Sequence, residues 1–275
     1  MSVHQQSVRD ALYETPGSGA RKAIAIVTAL SIIALAGVLF YIGKVFYDNG
    51  QFDAKYWSFF TKYTTWRFLG QGLIGTLEAA ALSGITAFII GFVLMSARIC
   101  HYKVLQMVSV AIIEFTRGVP TLLLIYFFFL IVPQLGINLP SIWRIALPVA
   151  ISAGGVVAEV LRSGVNAVPK GQREAALSIG MGEVKTFVKI IFPQAMQYII
   201  PALIAEMVIV VKDTTFAYVV NFPDLMQDAK VLLSNYDALL SVYLVVAVIY
   251  ILINYLINKV SVVVARRMQT TPATR

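Results

Sequence analysis

Charge, cysteine and histidine are all scarce in this chain. Charged residues make up 13% of it and hydrophobic residues 59%, where ordinary soluble domains carry about a quarter and roughly half. A soluble fold could not cover so apolar a chain with polar surface, so lipid is the expected solvent. The single cysteine, Cys100, excludes an intramolecular disulfide framework. The histidines, His4 and His101, lie far apart with no Cys or His partner at ligand spacing, so no metal site is expected. Nothing reads Gly-x4-Gly-Lys-Ser/Thr, so the chain has no loop of its own to cradle nucleotide phosphates. No Ser/His/Asp or paired-carboxylate constellation appears either. The sequence therefore predicts no enzyme, no catalytic residue and no cofactor on this chain.

Long apolar runs are what it has. A bilayer core of about 30 Å takes roughly 20 apolar residues as helix. Six stretches qualify: about 23–47, 71–97, 104–132, 144–165, 190–211 and 236–262. The fourth is expected to be interrupted at Gly154 and Gly155, and the fifth carries Pro193 and Pro201. Residues 1–22 are polar, contain Pro16, Gly17 and Gly19, and read as a disordered cytoplasmic tail. The run 23–47 exceeds a signal-peptide core of about 7–15 residues and reads as a retained N-terminal transmembrane helix. Residues 266–275 read as a second cytoplasmic tail.

The net charge of +8 gathers in short segments between the runs, not in one patch for nucleic acid. With the N-terminus inside, the inner segments hold Arg9, Arg21 and Lys22, then Arg98 and Lys103. Arg162, Lys170, Arg173, Lys185 and Lys189 follow, and Lys259, Arg266, Arg267 and Arg275 end the set. The outer segments hold only Lys55, Lys62, Arg67, Lys212 and Lys230. The positive-inside rule then predicts six spans with both termini cytoplasmic.

The inner loop 166–189 has structure of its own. Val168-Pro169-Lys170-Gly171-Gln172 marks a turn, and Arg173-Glu174-Ala175-Ala176-Leu177-Ser178 favours helix up to Gly180 or Gly182. A second amphipathic piece runs from Glu183 to Ile191, so two short helices are expected to meet at a glycine corner. Loops of this length are more often functional than mere connectors.

This loop resembles the coupling motif of ABC importer permeases: Glu-Ala-Ala, three residues, Gly, nine residues, Ile-x-Leu-Pro. Here it reads Glu174-Ala175-Ala176, Gly180, and Ile190-Ile191-Phe192-Pro193, with Phe192 in place of Leu. Other stretches look like the polar amino-acid subfamily, the permeases for histidine, glutamine, glutamate and arginine. They are Gly72-Leu73-Ile74-Gly75-Thr76-Leu77, Glu114-Phe115-Thr116-Arg117-Gly118-Val119-Pro120, Ala158-Glu159-Val160-Leu161-Arg162-Ser163-Gly164, Pro193-Gln194-Ala195 and Lys212-Asp213-Thr214-Thr215.

The resemblance implies an all-α polytopic membrane protein of six transmembrane helices. It places a five-helix permease domain at 70–265 behind an extra N-terminal helix, which looks like a variation in glutamate permeases of Gram-positive bacteria. It further implies a bacterial plasma (inner) membrane and alternating access driven by two separate ATPase subunits, which would hold ATP and Mg. A second permease chain, identical or homologous, and an extracellular substrate-binding protein complete the implied assembly. In that setting Glu174, Ala175, Ala176 and Gly180 are the expected ATPase-coupling residues. Glu174 would pair with a cation of the ATPase or cap its own helix; small Ala175 and Ala176 would permit close approach. A Cβ at Gly180 would conflict with a positive φ.

Ionisable residues inside spans are costly and mark candidate sites: Glu78, Glu114, Arg117, Arg144, Glu159, Arg162, Glu206, Lys212 and Asp213. Glu114/Arg117 and Glu159/Arg162 stand at i,i+3 and are each able to neutralise themselves on one helix face. A zwitterionic amino acid needs an acceptor for its ammonium and donors for its carboxylate. Glu159 and Asp213 suit the first role; Arg162, Lys212, Thr214 and Thr215 suit the second. Helix rise puts Glu159 toward the inner third of its span and Asp213 near the outer end of its own, too far apart for one site. Lys212 to Thr215 thus reads as pathway, gate or an interfacial Lys-Asp pair, and Glu159 with Arg162 as substrate contact or internal ion pair. Phe216 to Tyr236 reads as an irregular outer loop with a short helix. It would meet a binding protein, close the pore or simply connect. The rival overall reading is a secondary carrier or channel that needs no ATPase.

Overall fold

The computed structural model describes residues 17–269, and helix is the only regular secondary structure among them. The chain divides into one unit ending at Ala54 and a second, Lys55–Arg275. The first holds α1, Ser18–Asp48. Its span Gly19–Asp48 has mean hydropathy 2.7 and no residue buried, an apolar helix long enough to cross a bilayer core. Residues 18–22 of the expected tail are therefore helical. Residues 1–16 and 270–275 of the two expected tails lie outside the described residues, and 266–269 continue the last helix.

The second unit is a bundle built on α2, Tyr63–Ile99. At 1.5 Å per residue its 37 residues run about 55 Å, well beyond a bilayer core of roughly 30 Å. One stripe of it is small and buried: Gly72, Thr76, Ala80, Gly84, Ala87 and Gly91. Steps of three or four put these on one face. Small residues let backbones approach where lipid supplies no hydrophobic driving force between helices.

The next apolar run departs from expectation. One continuous span was expected at 104–132, but α3, Lys103–Gly118, meets the helical segment Thr121–Leu135, which opens with α4, Thr121–Tyr126, at 98° across Val119-Pro120. Pro120 brings no N–H, and its ring disfavours helical backbone at the residue before it. Val119 is extended at φ −88°, ψ 127°. A π-helical turn, Phe127–Ile131, and a 3-10 turn, Val132–Leu135, carry the chain on to Gly136 at φ +81°. Among the described residues five helices are long and apolar enough to span, and the bent pair makes up to six.

α5, Ser141–Ala167, runs unbroken through Gly154 and Gly155, contrary to the expected interruption. Both glycines mark close crossings. A Cβ on Gly154 would stand 2.8 Å from Ile90 Cγ2, and one on Gly155 would overlap Thr116 Oγ1 and lie 3.2 Å from the Ile113 carbonyl. α2 and α3 thus both lean on α5, and most of the core gathers where α2, α5 and α8 meet.

After α5 come α6, Lys170–Ser178, and α7, Glu183–Thr186. A π-helical turn, Phe187–Ile191, then leads into α8, Phe192–Thr214. Pro193 sits in the first turn of α8, where its missing N–H is harmless. Beyond a 3-10 turn, Thr215–Val220, lies α9, Leu225–Tyr236, and then α10, Leu239–Gln269. The Asp224 carboxylate caps α9 by accepting the Gln227 N–H at 2.8 Å. α9 is no solvated connector. Leu225, Ala229 and Leu232 are buried in a second core with Phe59, Leu69 and Val242.

Candidate functional site

The expected coupling segment forms a hairpin of two short helices with a glycine corner. α6 closes on a Schellman motif: Gly180 N–H donates to the Leu177 carbonyl at 2.9 Å, and Met181 N–H to the Ala176 carbonyl at 3.1 Å. That pair of bonds demands left-handed backbone at the residue after the cap. Gly180 supplies it at φ +82°, as the sequence predicts. Nothing lies within 4 Å of a Cβ built there, so backbone strain, not crowding, is what excludes other residues.

The four motif residues do not share one direction. Ala176 is buried, facing into the protein, so it serves internal packing rather than approach to another chain. Glu174 and Ala175 are exposed. α6 is capped at Pro169 and its first turn holds no acid, so Glu174 does not cap its own helix. Among the described residues its carboxylate has no side-chain partner. The neighbouring Arg173 instead spans the corner, its guanidinium donating to both Glu183 carboxylate oxygens at 2.7 and 3.2 Å. Gln194 of α8 donates to Gln172 at 3.2 Å. Ile179 and Val184 flank the corner, each 78% exposed.

Two further polar clusters sit inside the bundle. At the end that carries the hairpin, Glu159 of α5 accepts from Arg98, in the last turn of α2, and from Arg162 at 2.9 to 3.0 Å. The i,i+3 pair is present, and Arg98 joins it from another helix. Glu114 and Arg117 also pair, at 3.6 Å and well exposed.

The second cluster lies at the bend of the third run. Thr121, first residue of α4, donates to Asp213 of α8 at 2.9 Å and lies 3.0 Å from Ser152 of α5. Ser152 stands two turns from Glu159, about 10 Å along the helix, so the two clusters occupy different levels. Of the four residues expected to act together, only Asp213 reaches another helix. Lys212 is exposed and makes no ion pair with Asp213. The Thr214 and Thr215 hydroxyls donate to carbonyls of their own helix, Val211 and Lys212, at 2.8 and 2.6 Å. Sequence reasoning missed Arg98, Thr121 and Ser152. Thr121 had a signal in the preceding Pro120; Arg98 and Ser152 had none apart from their type.

Comparison with known proteins gives this architecture its family. A model described as "binding-protein-dependent transport system inner membrane component" matches residues 87–270. The glutamate transport system permease protein GluD of Corynebacterium glutamicum is 34% identical over 225 residues, 80% of this chain and 82% of that protein. A probable glutamine ABC transporter permease protein, GlnP of Bacillus subtilis, is 29% identical over 74% of this chain and 92% of its own length. A solved structure of an amino acid ABC transporter with histidines superposes with TM-score 0.69 at 30% identity, covering 76% of this chain and 96% of that one. The motif register, the helical bundle and these likenesses agree: the chain belongs to the family of binding-protein-dependent transport system inner membrane components.

Proposed function

We propose that this chain is the permease subunit of an ATP-driven importer for a polar amino acid, glutamate or one similar to it. The observation that carries the coupling part is the state of α6. Its rear is fastened by buried Ala176 and by the Arg173–Glu183 bridge, while its front presents a Glu174 carboxylate unpaired among the described residues. Exposed Ile179 and Val184 beside it form an apolar patch of the kind that meets another protein. A short helix so held transmits displacement as a lever between a nucleotide-hydrolysing partner and the spans on either side of it.

In this reading two ATPase subunits dock at the hairpins of two permease chains, and the hairpin end is cytoplasmic because basic residues gather there. An external binding protein delivers substrate at the other end. ATP and Mg reside on the ATPases. The Thr121–Ser152–Asp213 cluster belongs to the pathway, with Lys212 and Thr215 shaping its rim and buried Thr214 packed behind them. Glu159, held between Arg98 and Arg162, belongs to the closure near the hairpin. The glutamate preference rests on the relatives' names.

Replacing Glu174 by Arg, or Gly180 by Val, tests the coupling. Nucleotide-driven uptake is expected to fall at least tenfold while the permease still inserts and folds. Full uptake by both variants would remove the lever from the account.

A further inference from the structure

Between the two polar clusters lies an acidic residue that neither uses. Glu206 of α8 is only 7% exposed, and its carboxylate has no hydrogen bond or ion pair among the described residues. It lines a cavity of about 150 Å³ whose other walls are apolar, among them Phe88, Val157, Leu203 and Met207. Gly84 of α2 shapes the floor: a Cβ there would overlap the Met207 thioether and push it into the space. Glu206 and Asp213 are seven residues apart, two turns along one face of α8 and about 10 Å from each other. Glu206 therefore stands on the line from the Asp213 cluster toward the hairpin end.

An isolated carboxylate in a low-dielectric wall is expensive and is relieved by a cation or a proton. No Lys, Arg or His of the described residues pairs with it, so relief comes from a proton or from a cation outside the chain, and a substrate ammonium is a cation of that kind. An apolar wall with a single acidic residue among its lining is the usual composition of a small-molecule pocket.

We propose that Glu206 is an ammonium-binding station for the transported amino acid, its carboxylate accepting charge-assisted hydrogen bonds from the substrate α-amine while the apolar wall holds the carbon chain. This rests on the importer reading above and adds the group that recognises the amine within the membrane.

The permease, reconstituted with its ATPase and binding protein, is assayed with L-glutamate, L-glutamine and L-arginine. The amino acid with the highest ATP-dependent uptake is then carried forward, together with its deaminated analogue, for binding to the permease–ATPase complex. Glu206→Gln, which keeps shape but loses charge, is expected to weaken binding about tenfold or more, and Glu206→Asp to retain the greater part. The deaminated analogue is expected not to compete. In the unaltered protein, an apolar carbodiimide is expected to modify Glu206 more slowly when the amino acid is present, which stands even if the variants fold poorly. Wild-type affinity and uptake in Glu206→Gln, or carbodiimide modification indifferent to the amino acid, would overturn the station alone. Absence of ATP-driven uptake by the wild type for all three probes would instead overturn the amino-acid importer reading beneath it.

Discussion

Gly72 of α2 and Asp228 of α9 touch so closely that a Cβ on the glycine would overlap the aspartate carboxyl, with the Asp224 carbonyl 2.9 Å away. One turn on, a Cβ on Gly75 would collide with the Pro223 carbonyl. Next to Gly75, Thr76 accepts the Leu225 N–H at 3.0 Å and donates to the Gly72 carbonyl at 3.1 Å. Two glycines and a threonine thus make the seat on which α9 rests. Gly72→Ala and Gly75→Ala are expected each to cost about 1–3 kcal/mol by overpacking, read as a lower thermal midpoint and faster proteolysis at 215–238. Gly171→Ala, with open space around it, should stabilise α6 by about 0.5–1 kcal/mol.

That seat carries two acids, Asp224 and Asp228, with no ion pair among the described residues. Asp224 is 0% exposed, and its Oδ2 has no partner among the described residues. Burial pushes its carboxyl from the usual 3.8 up to about 7, against the opposing pull of its bond from Gln227 N–H and with further help from Asp228. Burial likewise raises Asp228 to about 6, opposed by a backbone bond from Gly72. The charged groups nearest in sequence, Arg67 and Glu78 on α2 and Lys230 on α9, are exposed.

A proton is therefore held in the docked state and lost more readily in the undocked one. The docking contribution is full below the ordinary carboxylate range. It declines as pH rises through about 6 and about 7, by an amount on the order of a few kcal/mol. Amide exchange in 225–236 should accelerate between pH 5 and pH 8 relative to the bundle core. Asp224→Asn, which can still cap α9, should flatten most of that dependence. An equally steep profile in the variant would count against Asp224 as the source.

The inter-helix Arg98–Glu159 pair and the exposed Glu114–Arg117 pair should differ in worth. Glu159 is part-buried and answers two guanidiniums from two helices. Removing it leaves Arg98 and Arg162 facing each other without their counter-charge. A double-mutant cycle of Arg98→Gln with Glu159→Gln is expected to give a coupling of about 1–3 kcal/mol in thermal stability. The same cycle on exposed Glu114 and Arg117 should give about 0–0.5 kcal/mol.

Local signals in the chain reached some of this and stopped at the rest for physical reasons. Apolar run lengths located the spans, and the spacing from Glu174 through Gly180 to Pro193 marked the hairpin, because helix length and a left-handed glycine are set within a few residues. The bend at Val119-Pro120 was bridged because the apolar runs on either side of it are long, although Glu114, Arg117, Gly118 and Pro120 interrupt them. Gly154 and Gly155 read as breakers in isolation, and only their neighbours, Ile90 and Thr116, reveal them as crossings. The Thr121–Asp213 bond joins residues 92 apart, and no periodicity reports such a contact. Ala176 turned inward, away from any partner, because α6 lies against the bundle and must bury one face.

The central claim is that this chain moves solute only when another protein hydrolyses nucleotide against α6. The direct measurement is uptake of L-glutamate, L-glutamine and L-arginine into liposomes holding the permease alone and holding it with its ATPase, binding protein and ATP. Uptake should appear only in the complete system and vanish when a non-hydrolysable nucleotide replaces ATP. Full-rate uptake by the permease alone would contradict the account and restore a carrier or channel in its place.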